Sequence, residues 1–306
     1  MPQGQGHDHD IGEASDRRIL GTVALNVLLT VAQIVGGVLA GSVALVADAL
    51  HNLNDAMALV IVWISRRISR RTADRERTFG YQRAQVIGAL VNLVALGVVA
   101  LFLGYESVLR FFEPRDVGGW TVIVLAGVAL VVDVGTVLLL ITMRKGNVNV
   151  RAAFAHNVSD ALASVAVLIG GIAIVLWGVN WVDPLLSLAI VAYIFWQVVK
   201  MLPETFRVLM ESAPPGLDVQ QVASAIMDVD GVSDVHHVHV WMLDEEDSAL
   251  EAHIVIDHDE LPRMESIKVH VRQKIEAFGI GHSTLEVEFP EVAGDPDHDG
   301  SIIAGR

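Results

Sequence analysis

The chain has 306 residues, 53% of them hydrophobic, and a mean hydropathy of +0.50, which excludes an ordinary soluble domain and leaves room for several membrane spans plus a small domain. Its net charge of −15 is unevenly placed: residues 1–203 carry 15 Lys+Arg against 14 Asp+Glu, and residues 204–306 carry 6 against 22, so the second segment favours cations over nucleic acid or an anionic surface. There is no cysteine; disulfides and thiolate metal sites are excluded, and a metal must rest on His, carboxylate or backbone groups.

Residues 1–17 are polar, include His7, Asp8, His9 and Asp10, and lack the basic n-region of a cleaved signal. They fit a weak metal-collecting tail and a merely solvated start equally well. Six apolar stretches follow, near 19–40, 43–65, 85–108, 120–142, 153–177 and 182–202, each close to the ~20 residues that cross a bilayer. The connection after the second stretch holds Arg66, Arg67, Arg70, Arg71, Arg75, Arg77 and Arg83; Arg144, Lys145 and Arg151 lie between the fourth and fifth. The first-to-second and fifth-to-sixth connections hold no Lys or Arg, so the positive-inside rule predicts that both termini and the arginine loop face the cytosol. Ala40-Gly41-Ser42 is a connection tight enough to make the first two spans antiparallel neighbours.

After Pro203 long apolar blocks give way to short alternations, with Pro214-Pro215-Gly216 as punctuation. A helix is predicted over Asp218–Val229, strands over Val235–Leu243, Ala249–Asp257 and Ser283–Phe289, and an amphipathic helix over Leu261–Phe278. The αββαβ order predicts a small ferredoxin-like α/β sandwich. The expected organisation is a polar tail (1–17), a six-helix membrane domain (18–203), a ferredoxin-like cytosolic domain (204–291) and an acidic tail (292–306). In that tail Asp295-Pro296-Asp297-His298-Asp299-Gly300 imitates the opening of an EF-hand loop, but the twelfth position is Arg306, where the loop needs Glu.

Two stretches stand out. His51-Asn52-Leu53-Asn54-Asp55 and His156-Asn157-Val158-Ser159-Asp160 each put a His and an Asp four residues apart, on one face of a transmembrane helix. An Asp at a helix centre costs about 2.5–3.5 kcal/mol on insertion scales. Two such residues, each with a His at i−4, are therefore read as half-sites of one four-ligand cage that suits Zn²⁺ in tetrahedral geometry. The second and fifth spans run in opposite directions, as half-sites of an inverted-repeat transporter do. Asp48 lies on the same face and is expected first to orient His51 through its other ring nitrogen, and otherwise to carry protons or act as an entry ligand. Asn52, Asn54, Asn157, Asn92 and Asp133 read as polar contacts between helices, Asp133 equally as a participant in transport; Glu106, Arg110 and Asp183 read as caps or pairs at span ends.

In the predicted sheet His237, His239 and Trp241 share a face, His253 is expected opposite His239, and His282, Thr284, Glu286 and Glu288 share a face of the last strand. His237, His239, His253, His282 and Glu286 are thus the expected regulatory metal ligands. The zincin helix motif is absent, and four ligands close the cage against catalytic water, so an enzyme is not expected. The reading is a Zn²⁺/H⁺ exchanger, because metal and protons compete for the same imidazoles and carboxylates. Co²⁺, Fe²⁺, Mn²⁺ or Cd²⁺ as cargo, or a metal-gated receptor without flux, are the alternatives.

The segments Ala47–Asp55, Phe79-Gly80-Tyr81-Gln82-Arg83, His156–Asp160, Asp183-Pro184 and His236-His237-Val238-His239-Val240-Trp241, in this order, resemble the cation diffusion facilitator family over nearly the whole chain. The resemblance implies homodimeric zinc/proton antiporters with six helices and a cytosolic metal-sensing domain, in the cytoplasmic membrane of a bacterium. It places the transport ligands at His51, Asp55, His156 and Asp160, a set that goes with zinc preference. Some members carry a further, partly histidine-built site in the loop after the second span; Ser65 to Arg83 holds no histidine, which argues against that site here.

Overall fold

The computed structural model describes residues 27–143, 148–244, 247–290 and 302, with side chains described except at 139, 140, 142, 143 and 148–153. The His/Asp tail at 7–10, Arg144 and Lys145, and the acidic motif at 295–300 lie outside the described residues. The chain divides into two compact units, residues 1–61 with 91–200, and residues 62–90 with 201–306.

The first unit is helical. After α1 (Val27–Ala40) come α2 (Val43–Ser69), α3 (Ala84–Phe112), α4 (Gly119–Met143), α5 (Val148–Trp177) and α6 (Val182–Leu209). Among the described residues α2 to α6 are long and apolar enough to cross a membrane, and α1 is a shorter apolar helix. The helices outrun the apolar stretches: α6 continues through Pro203 to Leu209, where the sequence change at Pro203 pointed to an end. Proline removes one backbone hydrogen bond, and the following Glu-Thr-Phe-Arg-Val-Leu still forms helix.

Gly41, at φ +69°, makes the expected tight turn between α1 and α2. Gly171 serves close approach: a Cβ there would sit 3.2 Å from the backbone nitrogen of Ile123, so α4 and α5 pack backbone to backbone. Ala40, Ala44, Leu45, Val122, Ala126 and Val167 form one buried cluster of this bundle.

The second unit holds the small sheet domain. α7 (Val219–Met227) is capped by Asp218, whose side chain accepts from the Gln220 N–H. Then come β1 (Asp234–Met242), β2 (Ser248–Val255), a 3₁₀ turn (His258–Arg263), α8 (Met264–Glu276) and β3 (Ile280–Glu288). The expected αββαβ order is present, with boundaries shifted by a few residues. β2 is central, antiparallel to β1 and parallel to β3. Val222 and Ile226 of α7, with Ile267, Val271 and Ile275 of α8, pack on Val235, Val238, Val240, Leu250, Ala252 and Ile254 of the sheet, one face buried and the other left to polar side chains.

The loop between α2 and α3 belongs to this second unit. Asp74 accepts from the Tyr81 hydroxyl and from the backbone N–H groups of Glu76 and Arg77 at 2.9 and 2.7 Å. These bonds, the tyrosine's first, hold its carboxyl below the ordinary value. The order they give the loop is present above about pH 4 and is lost as pH falls through the lower folded value. Tyr81→Phe is expected to move the Asp74 midpoint up towards the ordinary value in a carboxyl-labelled NMR titration; an unmoved midpoint contradicts the assignment.

Arg83 pairs with Glu211 at 3.1 Å. Glu211 has φ +55° at the end of α6, where the Ser212 N–H donates to the Arg207 carbonyl at 3.0 Å, a helix stop that glycine normally occupies. Glu211→Gly relieves a backbone cost of about 1 kcal/mol and loses an exposed ion pair worth about 0.2–1 kcal/mol. The expected thermal midpoint lies within about 3 °C of wild type; a larger drop assigns the pair more than a surface role.

Candidate metal centre

Helix α2 is held at its start. Ser42 caps it, its Oγ accepting from the Leu45 N–H at 3.0 Å. The carboxylate of Asp183, from the first turn of α6, accepts from the Ser42 hydroxyl and from the Val43 N–H at 2.7 Å. Arg110 of α3 donates to the Gly41 carbonyl and pairs with Glu106 at 2.8 Å. A carboxylate on the free N–H groups of a helix start also meets the positive end of its dipole. The cap and pair expected of Asp183, Glu106 and Arg110 thus converge on one helix start.

Two to four turns further along α2 lie His51 and Asp55. α5 brings His156 and Asp160 to them. His156 Nε2 is 3.2 Å from Asp55 Oδ2 and 3.5 Å from Asp160 Oδ2; His51 Nε2 is 3.9 Å from Asp55 Oδ2 and 3.8 Å from Asp160 Oδ1. Four ligands at ~2.0–2.1 Å from a tetrahedral zinc stand about 3.3–3.4 Å apart. The two edges to His156 lie near that spacing; the two to His51 are longer by about 0.5 Å, and the two imidazoles face different oxygens of Asp160. The ligand atoms of His51, Asp55 and Asp160 fall within 4.8 Å of one another. The site is lopsided: His51 is 6% and Asp160 12% exposed, while Asp55 is 34% and His156 41% exposed. Tyr193 of α6 stands edge-on to His51, ring centres 6.3 Å apart.

Asp48 does not follow its expectation of bonding to His51. Its recorded donor is Gln33 Nε2 of α1 at 3.2 Å, and His51 Nδ1 has no hydrogen bond among the described residues. Asp133 accepts from Ser164 of α5 at 2.7 Å.

In the sheet domain the structure departs from the expected register. His253 lies opposite His236, and His239 lies opposite Glu251, because β1 bulges between His236 and His239. His237 takes the bulge at φ +52°, rare for a residue with a Cβ, so His236 rather than His237 shares His239's face. His236, His253 and Glu288 are buried with their ligand atoms within 4.8 Å of one another. His253 Nδ1 is 2.7 Å from Glu288 Oε1, His236 Nε2 is 3.3 Å from Glu288 Oε2, and His253 Nε2 is 3.5 Å from Glu286 Oε2. The His237 ring stacks on His253 at 4.7 Å and meets His239 at 4.8 Å. His282 lies opposite Ala249, with Phe79 5.6 Å from its ring. Of the expected ligands His237, His239, His253 and Glu286 gather; His236 and Glu288 were not among them, and only the bulge brings His236 in.

Residues 19–210 match the family model described as the cation efflux transmembrane domain, and residues 214–289 match that of the cation efflux protein cytoplasmic domain. The chain is 33% identical over 294 residues to the zinc transporter ZitB of Yersinia pestis, covering 93% of this chain and 91% of that protein. It is 32% identical over 285 residues to the metal cation efflux system protein CzcD of Cupriavidus metallidurans, covering 93% and 90%. A cadmium, cobalt and zinc/H(+)-K(+) antiporter of Bacillus velezensis is 29% identical over 304 residues, covering 97% and 95%. A multi-helix bundle, a sheet domain later in the sequence and matches to both domain models along the chain lead to one conclusion: this protein belongs to the cation efflux, or cation diffusion facilitator, family of integral membrane metal transporters.

Proposed function

We propose that this chain exports Zn²⁺ from the cytosol in exchange for H⁺, with His51, Asp55, His156 and Asp160 as the ligands of the transported ion. The observation that carries this reading is that His51 and Asp55 of one helix meet His156 and Asp160 of another through His–Asp contacts of 3.2–3.9 Å, a two-imidazole, two-carboxylate set whose chemistry suits zinc. Two carboxylates balance the charge of one divalent ion, and the imidazoles must give up protons to bind it. Protons arriving from outside then displace the metal, and cytosolic metal displaces the protons, as the helices rock around the site. Cd²⁺ and Co²⁺, named for the Bacillus and related antiporters, are second choices as cargo. The protein sits in the bacterial cytoplasmic membrane with both termini in the cytosol and acts as a homodimer joined through its sheet domain.

The cluster of His236, His253 and Glu288, flanked by His237, His239 and Glu286, is the regulatory metal site in this reading. Zn²⁺ added to the purified full chain is expected to raise its thermal midpoint, and Glu288→Gln to remove at least half of that rise. An identical rise in the variant removes the cluster from the reading. Export itself is tested in liposomes that hold a pH-sensitive dye. Zn²⁺ added outside is expected to drive proton release, and zinc entry without any dye response overturns the exchange.

A further inference from the structure

Four polar side chains outside the two His–Asp motifs form two hydrogen-bonded pairs in the helical bundle: Gln33 of α1 with Asp48 of α2, and Ser164 of α5 with Asp133 of α4. Gln33 donates to Asp48 at 3.2 Å and Ser164 to Asp133 at 2.7 Å. Asp48 precedes His51 by three residues and Ser164 follows Asp160 by four. Since α2 and α5 are antiparallel, both steps lead the same way. The result is a second polar layer about one helical turn, ~5 Å, from the cage towards the start of α2.

The layer is short of positive charge. Gln33 and Ser164 are 0% exposed and Asp48 2%. The Gln33 side-chain oxygen is buried and accepts no hydrogen bond among the described residues. It shares its carbon with the nitrogen that donates to Asp48, so it lies beside that carboxylate. A buried acceptor without a donor, next to carboxylates served by one amide and one hydroxyl, is costly inside a membrane. A cation removes that cost. Every donor atom is oxygen, which suits a hard ion rather than zinc; the imidazoles that select zinc all belong to the cage.

We propose that Gln33, Asp48, Asp133 and Ser164 form an oxygen-only site for a hard monovalent counter-cation, a proton or an alkali ion, one turn beyond the metal cage. The proposal rests on the exchange reading above and deepens it: besides the protons that the cage imidazoles give up, a counter-cation has a place of its own. Because the two sites lie about one helical turn apart in a low-dielectric span, occupancy of one by a cation weakens the other, which is the coupling an exchanger needs.

The test uses the full chain in liposomes, with zinc flux and internal pH followed together in potassium and in choline media, and zinc binding measured separately in detergent. Asp133→Asn, Asp48→Asn and Gln33→Leu are expected to keep zinc bound, with a dissociation constant within about tenfold of wild type, while zinc flux and counter-flux both fall at least 100-fold. Counter-flux that persists in choline identifies the proton; counter-flux that needs potassium identifies the alkali ion. Wild-type exchange in all three variants overturns the site, and so does a loss of zinc binding parallel to the loss of flux, which makes the layer a support for the cage. Wild-type zinc flux with no counter-flux in either medium overturns the exchange reading and this site with it.

Discussion

Asp160→Asn in the reconstituted chain is expected to lower zinc flux at least 100-fold. Asp160 is the more buried carboxylate of the cage and faces both imidazoles, at 3.8 Å and 3.5 Å. Losing even an outer partner of a metal ligand costs about 10–100-fold in affinity, and in the proposed cage a ligand charge itself is lost. The remaining set of two His and one Asp carries one negative charge against a divalent ion in a low-dielectric span. The same substitution at Asp55, which is about three times more exposed, is expected to weaken flux less, since water can replace one ligand there. Radioactive zinc uptake into vesicles reads both. Flux within threefold of wild type in Asp160→Asn removes this residue from the transport site.

The second large effect is one of stability. Asp183→Ala strips the Ser42 hydroxyl and the Val43 N–H of their buried acceptor. Hydrogen bonds to a charged group are worth about 1.5–3 kcal/mol each, and a helix cap adds up to about 2 kcal/mol. A loss of about 3–5 kcal/mol is expected, which lowers the thermal midpoint in detergent by about 10 °C. Asp183→Asn keeps one carbonyl acceptor and is expected to lose about half as much. An unchanged midpoint in the alanine variant means that water replaces the carboxylate at the start of α2.

Much of this architecture is legible without coordinates. The His–Asp spacing of four residues is a statement about helix geometry, so the faces of α2 and α5 follow from the letters. The spans follow from the length of their apolar runs, and the sheet domain from the change to short alternations after Pro203. What stays hidden is what depends on a single backbone irregularity or on partners far apart in the chain. Alternation through β1 puts His237 with His239; one bulged residue moves His236 there instead and pairs it with His253. Nothing local to Asp183 says that its carboxylate closes a helix that starts 140 residues earlier. Nor does Asp48 carry a sign that its partner is an amide on α1 rather than the imidazole one turn away.

The closure of α2 by α6 also fixes where the bundle can bend. The Asp183 carboxylate binds the first residues of α2, and Arg110 ties the preceding turn to α3, so three helices share one fastened end. His51 lies nine residues, about 13 Å, along α2 from Ser42. Relative movement of α2 and α6 must either break several buried hydrogen bonds or pivot beside Ser42. A pivot there works as a lever with its short arm at His51 and Asp55 and its long arm at the far end of the helix: a tilt that shifts these two side chains by little swings the arginine-bearing end by about two to three times as much.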